Sequence, residues 1–335
     1  MKNSEITVAL LVGGASPERE VSKESSKAVY EALIKLDYKV KIIDPSYGQE
    51  QPVNIEDYFL ANKDFADVSS EKYVHSLNKE NLSEVDVVFI GLHGKWGEDG
   101  AVQSLLELNK IKYTGSGILS SAVGMDKNMS KIMFEHFGVT TPKWFVIDSD
   151  ESNYSIVKEK IKNLFDYPCI IKANDSGSTI GLTVCKEEAD VEAACKDAGK
   201  YSRKIIIEEF IPGYELTVAV LDKQALPPLE IKPKHGLYDY ECKYTDGMSE
   251  YIVPAEFPEK LLSHLQQQAL LAYESIGCSN YARVDFRVNE NHESYCLEVN
   301  TLPGMTSHSL VPKMAKAAGI NFEELIDRII KYALV

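Results

Sequence analysis

The sequence predicts an α/β domain built on a parallel sheet, followed by a larger α+β region. Three observations carry this. The N-terminus runs strand, helix, strand. After Gly117, strands and helices mix without strict alternation. And 335 residues exceed the ~150 typical of one domain, so two or three are expected.

In chain order, Thr7–Val12 is a short apolar run closed by Gly13-Gly14. Val21, Ser25, Ala28, Val29, Ala32, Leu33 and Leu36 then form a helical stripe, and Lys39–Ile43 is strand-like. A strand–helix–strand order of this kind predicts a parallel sheet with helices on its faces. Residues 47–84 are polar and irregular. Val85–Ile90 reads as another buried strand. Leu119–Phe137 reads as one helix, and Trp144–Ile147 as an edge strand after Pro142. Cys169–Ala173, Thr183–Cys185, Ile205–Phe210 and Glu215–Leu221 are further strands, with helices near 154–165 and 187–201. Lys260–Ile276 is strongly amphipathic, and Phe322–Leu334 is a terminal helix. The expected divisions are 1–120, 121–207 and 208–335.

The hydrophobic fraction of 44% is enough for a sizeable core. A net charge of −15 argues against nucleic-acid or anionic-membrane partners. No apolar run approaches the ~20 residues of a membrane span, and the first one is too short for a signal peptide. The six cysteines form no CxxC pair, so they read as free thiols in a reducing cytoplasm.

The strongest chemical pattern lies near the C-terminus. Arg283 and Asp285 alternate on one strand, and Glu298 and Asn300 on another. A two-residue turn at Asn291-His292 would set Asp285 opposite Glu298 and Arg283 opposite Asn300. Facing carboxylates repel unless a cation neutralises them, and this donor set of hard oxygens suits Mg²⁺ shared with nucleotide phosphates. Taken alone, the run also reads as a solvated sheet face. Lys172 and the Gly/Ser-rich residues up to Gly181 follow a strand and could cradle phosphate, or form an ordinary turn. They do not form a Walker A loop. Ile205–Gly213 could offer its strand end to an adenine edge, with Glu215 near ribose; an ordinary hairpin is the alternative. Residues 13–22 join the first strand to its helix, where Glu18 could hold a cationic group or simply cap the helix. His93 sits at a strand end in a Gly-rich loop, with no second metal-spaced partner. Residues 238–244 form a polar-aromatic run that could close as a lid through Lys243 and Tyr244, or lie on the surface.

Together these motifs resemble the D-alanine–D-alanine ligases of the ATP-grasp class. The resemblance covers nearly the whole chain in order. It rests on GGASPEREVS (13–22), LHGKWGEDG (92–100), YTGSG (113–117), MDK (125–127), KANDSGSTIG (172–181), YDYECKY (238–244), ARVDFRV (282–288) and LEVNTLPGMTSHSLVP (297–312). It implies an ATP-grasp fold behind a Rossmann-like N-terminal domain, with ATP gripped between the second and third domains. It also implies a cytoplasmic enzyme, usually a homodimer, that supplies peptidoglycan precursors.

The resemblance further implies the following roles. Lys127 and Lys172 would contact ATP phosphates. Glu208, Glu209, Phe210 and Ile211 would frame adenine, and Glu215 the ribose. Asp285, Glu298 and Asn300 would hold two Mg²⁺, with Mn²⁺ as a substitute. Glu18 would bind the ammonium of the first D-alanine, with His93 beside its carboxylate. Ser178 and Tyr244 would tie two loops to Glu18, and Lys243 would face the transferred phosphate. Arg283 and the Gly304 amide would stabilise the oxyanion, while Ser309 and Leu310 would line the second D-alanine. Three positions depart from the family pattern: Ala173 replaces a usual Pro, Leu302 a frequent Ser and Glu209 a frequent Lys.

The nearest rival reading is a ligase that takes D-serine or D-lactate second. Tyr244 and Leu310 favour D-alanine, since the resemblance implies that D-lactate ligases replace the lid tyrosine. A regulatory nucleotide-binding relative would have lost Asp285, Glu298, Arg283 or Lys172, and all four are present. A dehydrogenase would need the missing GxGxxG fingerprint.

Overall fold

A computed structural model describes residues 2–177, 181–234, 247–306 and 309–335. Three sheets organise them. The first holds β1 (Thr7–Leu11), β2 (Lys39–Ile43), β3 (Val87–Ile90) and β4 (Lys112–Tyr113) in the order β2-β1-β3-β4, all parallel. The expected parallel sheet is therefore present. β1 and β3 read as continuous apolar runs because both their faces are covered. The Arg19–Lys35 helix returns the chain between β1 and β2.

The second sheet is antiparallel: β5 (Trp144–Asp148), β6 (Cys169–Ala173), β7 (Thr183–Cys185) and β8 (Lys204–Glu209), ordered β5-β8-β6-β7. β5 is an edge strand, as Pro142 suggested. The third holds β9 (Tyr214–Leu221), β10 (Gln224–Ala225), β11 (Leu229–Pro233), β12 (Ser249–Ile252), β13 (Tyr281–Val288) and β14 (Ser294–Asn300). Its main order is β12-β11-β9-β13-β14. The Glu259–Ser275 helix covers one face through Leu261, Leu265, Ala269, Ala272 and Tyr273.

One expectation changes. The helix read over 119–137 is two helices, Ile118–Met125 and Lys127–Phe137. Asp126 is extended between them, and its side chain accepts from the Met129 N–H at 2.9 Å, capping the second. The short-range carboxylate bond outcompetes an apolar periodicity that carries on through the break. The C-terminal helices Leu310–Ala317 and Phe322–Leu334 contribute Met314, Leu325, Ile326, Ile329 and Ile330 to the same core as the first sheet. The end of the chain therefore braces the beginning.

Residues 47–84 contain short 3-10 turns and one four-residue helix, Tyr73–Ser76. Arg19 ties this stretch down. Its guanidinium donates to Asp64 Oδ1 and Tyr47 Oη, both at 2.7 Å, and lies 2.7 Å from Asp44 Oδ2. Asp44 is buried, so removing its cation leaves a costly charge. Arg19→Met should lose roughly 3–5 kcal/mol on chemical denaturation. Limited proteolysis read by mass should find new first cuts within 47–84.

Candidate active site

A cavity of about 680 Å³ opens where the first and third sheets meet. Glu18, His93, Lys127, Arg283, Glu298, Asn300, Gly304, Ser309 and Leu310 all line it. These residues come from distant parts of the sequence.

The first sheet supplies Glu18 and His93. Glu18 stands at the start of its helix. Gly94 approaches so closely that a Cβ there would lie 2.3 Å from Glu18 Oε2, and Gly94 has φ +67°. A Cβ on Gly177, in the loop after Lys172, would lie 3.2 Å from the same oxygen. Glu18 is thus enclosed by two glycine-bearing loops from different sheets. His93 is buried, with Nδ1 3.1 Å from the Leu302 carbonyl and Nε2 3.2 Å from Ser25 Oγ. Burial alone would lower the imidazole pKa. The hydrogen bond and charge of Glu98, the charge of Glu18 and the Leu302 carbonyl together raise it.

The third sheet supplies the carboxylates. Asp285 pairs directly with Glu298, and Arg283 with Asn300, the register expected from the sequence. The route to it differs. The loop spans residues 290–292, with His292 at φ +63°. A bulge beside Phe286 then restores the register before Asp285. Arg283 grips Asp285 with two hydrogen bonds, Nε to Oδ1 at 2.8 Å and Nη2 to Oδ2 at 2.7 Å. Thr217 Oγ1 donates to Asp285 Oδ1 at 2.6 Å. Lys127 Nζ is 3.5 Å from Glu298 Oε2 and donates to the Ser176 carbonyl at 2.8 Å. Asn300 Oδ1 accepts from the Leu302 N–H at 3.1 Å. Asp285, Glu298 and Asn300 offer hard oxygens on one sheet face, with Glu298 and Asn300 open to the cavity. That donor set fits Mg²⁺. Among the described residues, no three His, Cys, Asp or Glu side chains cluster around a common point.

Of the residues expected around ATP, Lys127 lines this cavity, while Lys172, Glu208, Glu209, Phe210, Ile211 and Glu215 are not among its lining. Lys172 Nζ donates to Glu208 Oε1 at 2.5 Å across adjacent strands β6 and β8. Glu209, Phe210 and Ile211 lead from β8 towards β9, and Glu215 on β9 pairs with Arg287. Ser178, Lys243 and Tyr244 lie outside the described residues. The Lys127–Phe137 helix joins the two groups: Lys127 faces the cavity, and Lys131, one turn on, lies 3.1 Å from Glu208 Oε2.

Lys131 is a residue the sequence reading missed. It is completely buried, and its ammonium donates to Thr141 Oγ1 at 2.7 Å. Its signal was available, because a lysine at 131 falls on the helix stripe shared with Ser130 and Phe134. Burial lowers its pKa more than Glu208 restores it. Burial would raise the Glu208 carboxyl, but the charges of Lys131 and Lys172 and the hydrogen bond from Lys172 together outweigh it and hold the pKa at about 2. Ser25 was read as part of an apolar stripe, yet its hydroxyl also accepts from the Met305 N–H at 3.3 Å. Of the three departures, Ala173 and Leu302 are buried. Leu302 serves the site through its backbone, with its carbonyl at His93 and its N–H at Asn300 Oδ1. Glu209 Oε2 accepts from the Lys143 N–H at 3.4 Å.

Comparison with known proteins identifies the family. The family description "D-ala D-ala ligase N-terminus" matches residues 7–116, and "D-ala D-ala ligase C-terminus" matches 133–331. A D-alanine–D-alanine ligase of Syntrophotalea carbinolica is 42% identical over 96% of this chain and 94% of its own. The chain belongs to the D-alanine–D-alanine ligase family. A second relative, from Halalkalibacterium halodurans, is 41% identical over 98% of this chain and 99% of its own. The Bacillus anthracis ligase crystallised with ATP superposes with TM-score 0.79 at 30% identity, covering 98% and 97% of the two chains. The VanG D-Ala:D-Ser ligase of Enterococcus faecalis superposes with TM-score 0.83 at 31% identity, covering 98% and 99%. The likeness to these structures extends the α/β and α+β reading to the ATP-grasp fold.

The buried Lys131–Glu208–Lys172 group sets an acid limit. A carboxyl held below its unfolded value near 4.5 contributes stability above that value. The contribution is lost as pH falls from about 5 towards 2. Glu208→Gln should flatten the acid limb of stability measured by denaturation across that range. Lys131→Met should cost roughly 1.5–3 kcal/mol at neutral pH, because Glu208 loses one lysine and keeps Lys172.

Proposed function

We propose that this protein joins two D-alanine molecules into D-alanyl-D-alanine at the expense of ATP, releasing ADP and phosphate. The observation that carries this is the shared cavity. Glu18, Arg283 and Glu298 all line it, which supports ammonium binding by the first, oxyanion stabilisation by the second and metal binding by the third.

A carboxylate is a poor acylating agent, so the first D-alanine must be activated as an acyl phosphate. Glu18 holds its ammonium and His93 stands by its carboxylate. Lys127 and Lys172 bind phosphate oxygens, and residues 208–211 and Glu215 hold the nucleoside. Asp285, Glu298 and Asn300 would hold two Mg²⁺, or Mn²⁺ in their place, supplying charge neutralisation for the nucleotide phosphates. The amine of the second D-alanine, seated by Ser309 and Leu310, attacks the acyl carbon. Arg283, oriented by its two bonds to Asp285, and the Gly304 N–H stabilise the tetrahedral oxyanion, and phosphate leaves. Ser178, Lys243 and Tyr244 would close the site against water. The reading includes three domains divided as 1–120, 121–207 and 208–335. It also includes a cytoplasmic homodimer that feeds peptidoglycan synthesis.

A second reading, D-serine as the second substrate, draws on the likeness to the VanG ligase. The curated relatives, at about 40% identity, favour D-alanine.

Phosphate release should be measured with Mg-ATP and D-alanine alone, then with D-serine or D-lactate added, and products identified by mass. D-alanyl-D-alanine from D-alanine alone is expected. Phosphate released only with a mixed pair would move the assignment to the second reading. Glu298→Ala and Arg283→Ala should each lower kcat by roughly 10²–10³-fold. Unchanged rates in both would contradict the metal-binding role of Glu298 and the oxyanion role of Arg283.

A further inference from the structure

The connector 210–213 carries the chain from β8 in the second sheet to β9 in the third. It is therefore the hinge between the two sheets that would grip the nucleotide. One side chain fastens it. Arg287 on β13 sits directly opposite Glu215 on β9. Its Nε donates to the Ile211 carbonyl at 3.0 Å, and its Nη2 donates to the Gly213 carbonyl at 2.8 Å. Its Nη1 lies 3.5 Å from Glu215 Oε2. Both side chains are largely covered, at 15% and 17% exposure.

The connector is also pressed on the strand that carries Arg287. Gly213 has φ +115°, and a Cβ there would lie 2.3 Å from the Val288 carbonyl. No other residue could let the backbone pass so close. A planar guanidinium with five N–H donors can hold two carbonyls and a carboxylate at once, which a single ammonium on a flexible stem cannot do in fixed geometry.

We propose that Arg287 is a positioning residue for nucleotide selection. It keeps Glu215 aimed at the ribose hydroxyls, and it locks the connector on which the base rests. This inference builds on the proposed nucleotide role of Glu215 and residues 208–211. Arg287 touches no reacting atom, so its loss should appear in nucleotide affinity and sugar preference rather than in turnover.

The test compares the wild-type full-length protein with Arg287→Met and Arg287→Lys. Affinities for ATP, 2′-deoxy-ATP and 3′-deoxy-ATP are measured by calorimetry without D-alanine, followed by KM and kcat with D-alanine saturating. Arg287→Met should weaken ATP binding about 10-fold, the scale of losing hydrogen bonds to a charged group. Its kcat should stay within about 2-fold, since no transition-state contact is lost. The preference for ATP over the more weakly bound deoxynucleotide should shrink by a similar factor of about 10. Arg287→Lys should fall between, and it decides the same ratio should the Met variant prove insoluble. Glu215→Gln should lose the same preference, and adding Arg287→Met to it should remove little more, because the two act as a unit. An unchanged sugar preference overturns the proposal, whatever happens to melting temperature. The calorimetry reads Arg287 even if ligation fails, so failure of the proposed function and failure of this inference are distinguishable.

Discussion

Two carboxylates stand face to face on neighbouring strands, and the cavity is arranged around that repulsion. Asp285 and Glu298 are cross-strand partners. Like charges so placed destabilise a sheet unless something positive stands between or beside them. Here Arg283 clasps Asp285, and Lys127 approaches Glu298. Each cation has a second allegiance. Arg283 opens on the cavity, and Lys127 holds the Ser176 carbonyl of the loop that follows Lys172. Neutralising the pair therefore also couples the third sheet to the loop of the second. The same logic repeats a turn along the helix, where Lys131 and Lys172 share Glu208. With two lysines on one carboxylate, Glu208 keeps a buried partner if either lysine turns away.

The rest of the fold keeps the first sheet still relative to this centre. The two C-terminal helices pack into the first sheet's core, and His93 on the first sheet's loop meets the Leu302 carbonyl just beyond Asn300. Ser25 completes the contact by joining His93 and the Met305 N–H. Glu18 and His93 are thus fixed relative to Arg283 and Asn300 by buried packing and hydrogen bonds rather than by a single connecting peptide. Chemistry between two small bound molecules requires such fixed separation of the binding groups.

Much of this could be read from residues in order. The strand–helix–strand opening, the alternation of Arg283 with Asp285 and of Glu298 with Asn300, and the Gly-rich run at His93 all stand in the structure where local pattern puts them. What local pattern could not show is compensation and distance. The pairing of Asp285 with Glu298 depends on a three-residue loop and a bulge that cancel each other, and periodicity alone cannot see either. Asp126 splits a helix because its own carboxylate caps the next one. Lys131 looked like one more charged helix residue until Glu208, 77 positions later, was found against it. Arg287 shares the polar face of Arg283 and Asp285, but its partners at Ile211, Gly213 and Glu215 belong to another strand and a connector.

The central claim is that the carboxylate of one amino acid is activated by phosphoryl transfer and then captured by the amine of another. Isotope transfer tests it most directly. D-alanine labelled with ¹⁸O in both carboxyl oxygens is incubated with the enzyme and Mg-ATP, and the released phosphate is examined by mass. The account predicts one labelled oxygen in each phosphate, with the other retained in the new amide. Unlabelled phosphate accompanying dipeptide would contradict it, because the phosphoryl group would then never have been bonded to the substrate.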